Sequence, residues 1–261
     1  VDPDAIVYSD NPYGATGDTL DEYLAPALPV GRIADSATGD AQGFVDLIEE
    51  VGKNRSERPA LSGATSVVNR EWSATSAHIA RFLASPVLQR EAPDYELDDL
   101  HKSDTTRRHL YFNLHGFLDD RTWKGFDPIR GQFFTVATPN SFDREHAAGA
   151  IVFIENCYGA LTVRKDATTS CALRLLQQGC AAVIGATGLA FGSHMHPNFL
   201  LENADHLARL FFESLAGGLS VGGALVRARQ VYKSDASIPA TNVFKRKTLL
   251  QFTLLGDPAF T

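Results

Sequence analysis

Five short stretches of the chain are almost continuously apolar: Ala5–Tyr8, His109–Leu114, Ala150–Ile154, Ala181–Ile184 and Leu249–Leu255. A strand that is apolar on both sides must be covered on both sides, so such runs call for an internal sheet. Helical patterns separate them. Phe44, Val45, Leu47, Ile48 and Val51 share a helical spacing, with Asp40 placed to cap that helix and Gly52 just past its end. Trp72–Leu83 reads as a second helix stopped by Pro86. Leu173, Leu175 and Leu176 belong to a third, which Thr168 or Thr169 can cap and Gly179 ends. Phe199–Leu215 and Val221–Tyr232 complete the set. Strands alternating with helices predict an α/β fold with a mostly parallel central sheet and helices on both faces. The segments Asn11–Thr19, Asp94–Thr106 and Asp119–Gly131 read as loops. No repeat or linker divides the 261 residues, so residues 1–261 are expected to form one domain. The opening Val1, with no basic-plus-apolar leader, is the expectation for a fragment of a longer chain or a processed one, and it leaves the compartment undetermined.

Charge narrows the function. The chain carries 24 Lys and Arg against 31 Asp and Glu, a net −7, which disfavours phosphate backbones and anionic membranes as partners. Lys245-Arg246-Lys247, the one basic run, is too short to reverse this and reads as the solvated flank of the strand after it. No stretch is long and apolar enough to span a bilayer. Three cysteines without a CxxC spacing argue against a disulfide scaffold or a cysteine-rich zinc site. His194-Met195-His196 with His206 reads as loop histidines bordering a cleft. Asp10, Asp18 and Asp21 fail the EF-hand spacing and read as an acidic turn. No metal or cofactor is expected, and the absence of GxGxxG and GxxxxGK[ST] sets a nucleotide site aside.

Two strand ends carry chemistry. Tyr111-Phe112-Asn113-Leu114-His115-Gly116 delivers a histidine and then a glycine; Ile151-Val152-Phe153-Ile154-Glu155-Asn156-Cys157 delivers a cysteine. If the two strands are parallel neighbours, imidazole and thiol emerge together at one sheet edge, where open α/β sheets place their chemistry. A thiol becomes an effective nucleophile with a base nearby. Gly116, lacking Cβ, lets its N–H approach a substrate oxygen, and the Cys157 N–H supplies a second donor, the elements of an oxyanion hole. Cys171, in a helix pattern, and Cys180, at a strand start, read as structural.

These segments resemble the His-Gly and Cys motifs of clan CD cysteine peptidases, the group of caspases, metacaspases, legumains and gingipains. The gingipain type is the most similar. Leu28-Pro29-Val30-Gly31-Arg32-Ile33 resembles the segment preceding its catalytic domain, Cys180–Gly188 the strand after its nucleophile helix, and Leu254-Leu255-Gly256-Asp257-Pro258 its terminal Gly-Asp-Pro signature. The ordered set spans Asn11 to Pro258. The resemblance implies a caspase-like three-layer sandwich and a cysteine endopeptidase that acts on protein or peptide substrates through a His115–Cys157 dyad.

Departures are also visible. Asn113-Leu114-His115-Gly116 stands where gingipains have Gly-His-Gly. The upstream stretch Ser66–Ala77, which corresponds to the source of the acidic S1 residue in arginine-cleaving gingipains, offers only Glu71, and its Trp72 reads as core. Glu155 is the other acidic candidate. Two residues before the cysteine, several clan CD branches carry an S1 residue, and strand alternation puts positions 155 and 157 on one side. The resemblance then implies Arg or Lys at P1, with Asn the lesser option; the alternative is that Glu155 pairs with Arg164 or Lys165 and holds the loop. Asp119 and Asp120 are the nearby candidates for orienting the imidazole. The loop ending in Arg107-Arg108 is a candidate self-cleavage site. A rival reading of the whole chain is a silent or latent caspase-like regulatory module within a larger protein.

Overall fold

A computed structural model describes residues 4, 6–34, 41–57, 60–94, 107–193 and 202–261. Eight strands are present among them: β1 Ala64–Asn69, β2 Val87–Ala92, β3 His109–Asn113, β4 Trp123–Asp127, β5 Gln132–Ala137, β6 Ile151–Ile154, β7 Ala182–Ala186 and β8 Phe252–Gly256. The helices are α1 Leu20–Leu24, α2 Ala41–Glu57, α3 Ser73–Ala80, α4 Arg144–Ala147, α5 Cys171–Gln177, α6 Asn203–Ala216, α7 Val221–Ser234 and α8 Val243–Gln251. Six strands form one sheet in the order β2-β1-β3-β6-β7-β8, parallel throughout except for the last pair. The mostly parallel α/β sheet expected from the apolar runs is therefore present.

Period-two alternation builds a core on each face. Tyr111, Ile151, Phe153 and Ile184 point into a cluster with Ile79, Phe211, Phe212 and Leu225, beneath α3, α6 and α7. Leu110, Phe112, Val152, Ile154 and Val183 point the other way, against Leu47 of α2, Leu173 and Leu175 of α5, and Trp123 of the β4–β5 hairpin.

The structure corrects several local expectations. Ile6–Tyr8 is not a strand; Ile6 and Tyr8 are largely exposed, so this run has no partner to bury it, and Ala5 lies outside the described residues. Leu249–Gln251 is helical because Asn242 caps α8, its side chain accepting from the Phe244 and Lys245 N–H groups; the strand starts only at Phe252. Lys245 and Lys247 are not a solvated flank: they are 2% and 5% exposed on α8. Lys245 donates to the Asp235 and Ile238 carbonyls, and Lys247 to Asp4, which supplies what burial takes away. Helix α2 runs through Gly52 to Glu57, and its expected cap Asp40 lies outside the described residues. Ser170, not Thr168 or Thr169, caps α5, since both threonines are engaged by Asp166. The segment 119–131 carries β4 rather than only loop. The segments 95–106 and 194–201, with the loop expected at the first and His194 and His196 in the second, also lie outside the described residues. Among the described residues no helix is long and apolar enough to cross a membrane.

Candidate active site

Strands β3 and β6 are parallel neighbours, with Phe112 opposite Ile154, so the chain leaves both at the same edge. Past that edge the two segments are tied together. The Glu155 N–H donates to the Phe112 carbonyl, and the Leu114 N–H donates to the Asn156 Oδ1, each at 2.8 Å. His115 is fixed from its other side by the β4 strand: its N–H and carbonyl pair with those of Lys124 at 2.8 and 2.9 Å. Gly116 then presses on the Cys157 backbone so closely that an added Cβ would lie 2.0 Å from the Cys157 carbonyl oxygen. Tyr158 turns the chain away with φ +56°, and its N–H donates to the Gly188 carbonyl at 2.8 Å. Asp4 binds the same region from the N-terminal side, accepting from Tyr158 Oη, the Leu189 N–H and Lys247 Nζ, each at 2.7 Å.

His115 and Cys157 open onto one cavity of about 130 Å³, which Trp72, Glu155, Ser193 and Asp205 also line. The imidazole is packed among rings: Trp72 at 4.6 Å, Phe133 at 4.9 Å and Phe126 at 6.5 Å between centroids. Burial in this apolar collar disfavours the imidazolium and lowers its pKa to about 4. Its Nε2 is buried without a hydrogen-bond partner among the described residues. The Cys157 thiol donates to the Ala190 carbonyl at 3.5 Å, and burial raises its pKa above the ordinary thiol value. The resting pair at neutral pH is thus a neutral thiol and a neutral imidazole. Gly116 lies beside Cys157 but is not among the residues lining this cavity.

Glu155 is 5% exposed and receives a 2.8 Å hydrogen bond from Tyr111 Oη. Its neighbours are Tyr111 and Asp205, not Arg164 or Lys165. Burial, and then the nearby Asp205 carboxyl, push its pKa well above the carboxylate range. Asp205, from the first turn of α6, is raised to about 6 by burial.

Other expectations at the site change. Trp72 is not core but a wall of the cavity, because the helix expected from residue 72 begins at Ser73 and leaves the indole facing His115. Glu71 is exposed and does not line the cavity. Asp120 is engaged by Lys124 and Thr122, and among the described residues no carboxylate bonds the imidazole. Cys171 and Cys180 are buried away from it. Asp10, Asp18 and Asp21 are dispersed onto Arg32, Tyr23 and Lys233. His206 stacks on Tyr232 and pairs with Asp235. Asp205 was not singled out from sequence; its signal is an acid on the α6 face that also carries Ala208 and Phe212, both fully buried.

The sequence profile of peptidase family C25 matches residues 4–261. No curated protein matches the chain. Among solved structures, the Arg-specific cysteine proteinase gingipain R superposes with a TM-score of 0.67 at 13% identity, covering 97% of this chain and 59% of that one. The chain thus spans about three fifths of the length of that relative. A protease superposes with a TM-score of 0.57 at 11% identity, over 98% of this chain and 59% of the other. Separase from Saccharomyces cerevisiae, in complex with securin, gives 0.52 at 13% identity, over 82% of this chain and 13% of its own. At such identities the likeness is one of fold, and it is the caspase-like fold.

Proposed function

The chain belongs to peptidase family C25, a family of cysteine peptidases, and on that premise we propose that it hydrolyses peptide bonds through Cys157 and His115, after a basic P1 residue. The observation that carries the reading is the convergence of thiol, imidazole and a buried carboxyl on one cavity at the end of two adjacent parallel strands. Cys157 Sγ attacks the scissile carbonyl while its proton passes to the neutral imidazole. The Gly116 and Cys157 N–H groups hold the developing oxyanion. The imidazolium returns its proton to the departing amine as the C–N bond breaks, leaving a thioester. Water, deprotonated by the imidazole, then releases the acid and restores the thiol. The low imidazole pKa makes the charged ring a strong acid toward the departing amine, while it weakens the neutral ring as a base toward the thiol.

Glu155 supports the P1 assignment: a carboxyl at the cavity wall, without a cationic protein partner among the described residues, complements a cationic side chain. The similar gingipain R is Arg specific, which points the same way. Cys157→Ala is expected to abolish cleavage of Arg- and Lys-containing peptides with the circular dichroism spectrum unchanged; undiminished cleavage overturns the mechanism. Cleavage of those peptides that is indifferent to P1 charge overturns the pocket. The thiol's bond to the Ala190 carbonyl rather than to His115 favours one second reading, a latent enzyme whose thiol is held back until substrate displaces that contact.

A further inference from the structure

The cavity holds a second buried acid that the mechanism above does not use. Asp205 is 1% exposed and reaches the cavity that Glu155 also lines, from α6 rather than from the strand end. Its Oδ2 accepts from the Ser193 N–H, but its Oδ1 is buried with no hydrogen-bond partner among the described residues. A buried carboxylate oxygen with nothing to accept from is expensive unless a proton shared with a neighbouring acid, or a ligand, satisfies it. The two carboxyl groups stand within interaction range of each other.

Among the described residues, their surroundings supply hydrogen bonds but no charge. From β3, Tyr111 donates to Glu155, and Asn113 donates to Ser76 of α3 and to Tyr111. From the segment before α6, Ser193 holds Asp205. His206, next along α6, is turned to Asp235 and Tyr232, and Tyr232 of α7 donates to Asn203. Among the described residues, the other titratable side chains lining the cavity are the neutral His115 and Cys157. Among the described residues no lysine or arginine pairs with either acid.

We propose that Glu155 and Asp205 form one proton-sharing carboxyl pair, and that the pair takes up the cationic P1 side chain by releasing its proton to solvent. The proposal rests on the basic-P1 reading and adds Asp205 as a specificity-determining residue. Two like acids this close and this buried cannot both ionise unaided, and the pair titrates as a unit. Burial raises both, Asp205 to about 6, and the charge of Asp205 raises Glu155 further. At neutral pH the empty pair keeps a proton and carries a single negative charge. A guanidinium brings the missing positive charge, and its planar fork of N–H groups suits two acceptors, one on each acid. The proton is then displaced. Selectivity for a charged over a neutral P1 group therefore rises with pH.

The test uses the whole chain and two readouts. Benzamidine, a small amidinium, is titrated calorimetrically at pH 7 in phosphate and in Tris, whose ionisation enthalpies differ. The expected result is a release of about half to one proton per bound benzamidine, falling toward zero in Asp205→Asn. In parallel, kcat/KM is compared between peptides with Arg and with the neutral isostere citrulline at P1. Their ratio should rise at least tenfold from pH 5 to 8, and Asp205→Asn should move the midpoint of that rise at least one pH unit lower. A purely structural role for Asp205 would move neither readout. Binding without proton release, or an Arg-to-citrulline ratio unchanged with pH, overturns the proposal on the wild type alone, should the variant not fold. If basic preference persists but is the same in both proteins, the pair is refuted and the basic-P1 reading stands. If citrulline serves as well as Arg at every pH, that reading falls too.

Discussion

Replacing Gly116 by alanine tests whether the two strand ends must touch. The new Cβ would lie 2.0 Å from the Cys157 carbonyl oxygen and 3.1 Å from its carbon, where even 3.0 Å is closer than real Cβ contacts go. About 1 Å of movement is therefore required between the His115–Gly116 segment and the Cys157 segment. Neither side yields freely: His115 is paired with Lys124 on one flank, and Glu155 and Tyr158 are held by Phe112 and Gly188 on the other. Overpacking of this kind destabilises by about 1–3 kcal/mol, a drop of roughly 2–12 °C in Tm for a protein of this size. The loss of activity should be larger than the loss of stability suggests. A 1 Å misplacement of reacting groups is worth about 100-fold in rate, and displacing one oxyanion donor costs a similar factor. Steady-state hydrolysis of an Arg peptide, at a temperature where thermal melts show Gly116→Ala folded, should give kcat/KM reduced about 100-fold with KM little changed. A variant within about twofold of wild type would show that the close approach has no part in positioning, and would remove the Gly116 N–H from the oxyanion site.

Two further outcomes follow from the electrostatics. Because burial holds the Cys157 thiol above the ordinary value of 9.0, its alkylation by neutral iodoacetamide, followed by peptide mass spectrometry, should accelerate about tenfold per pH unit from 6 to 9 without a plateau; a plateau near neutrality would mean a preformed thiolate–imidazolium pair. Burial raises the Asp4 carboxyl, but Lys247, the Leu189 N–H and Tyr158 outweigh it, so its folded pKa lies below 3.8. Its stabilisation is then full above about pH 4 and fades as pH falls through the folded value. Asp4→Asn should lower Tm by several degrees at pH 7 and by progressively less as pH falls below 3.8 in thermal melts; a drop that does not shrink with falling pH would refute the ionic contribution.

The chemistry-bearing strand ends were readable because hydrophobic patterning is local. His115 and Cys157 each follow an apolar run, and β3 and β6 lie where those runs were read. Strand β1 escaped notice because Ala64-Thr65-Ser66-Val67-Val68-Asn69 is half polar; its threonine and serine are buried all the same, since its neighbours β2 and β3 satisfy the backbone. The β4–β5 hairpin was hidden for a related reason, as its outer face is exposed and Lys124, Asp127 and Gln132 look like loop residues. Lys245 and Lys247 misled for the opposite reason, being charges satisfied away from solvent, Lys245 by the Asp235 and Ile238 carbonyls and Lys247 by Asp4, remote in the chain.

What the sequence determined alone was the kind of fold and the places where a cysteine and a histidine leave it, because spacing over a few residues dictates which faces need covering. Tertiary structure decided the rest. It turned Trp72 onto His115, set Asp205 beside Glu155 fifty residues away in the chain, and closed Gly116 on Cys157. Ionisation depends on the charges and the water around a group in space, and linear order along the chain carries neither.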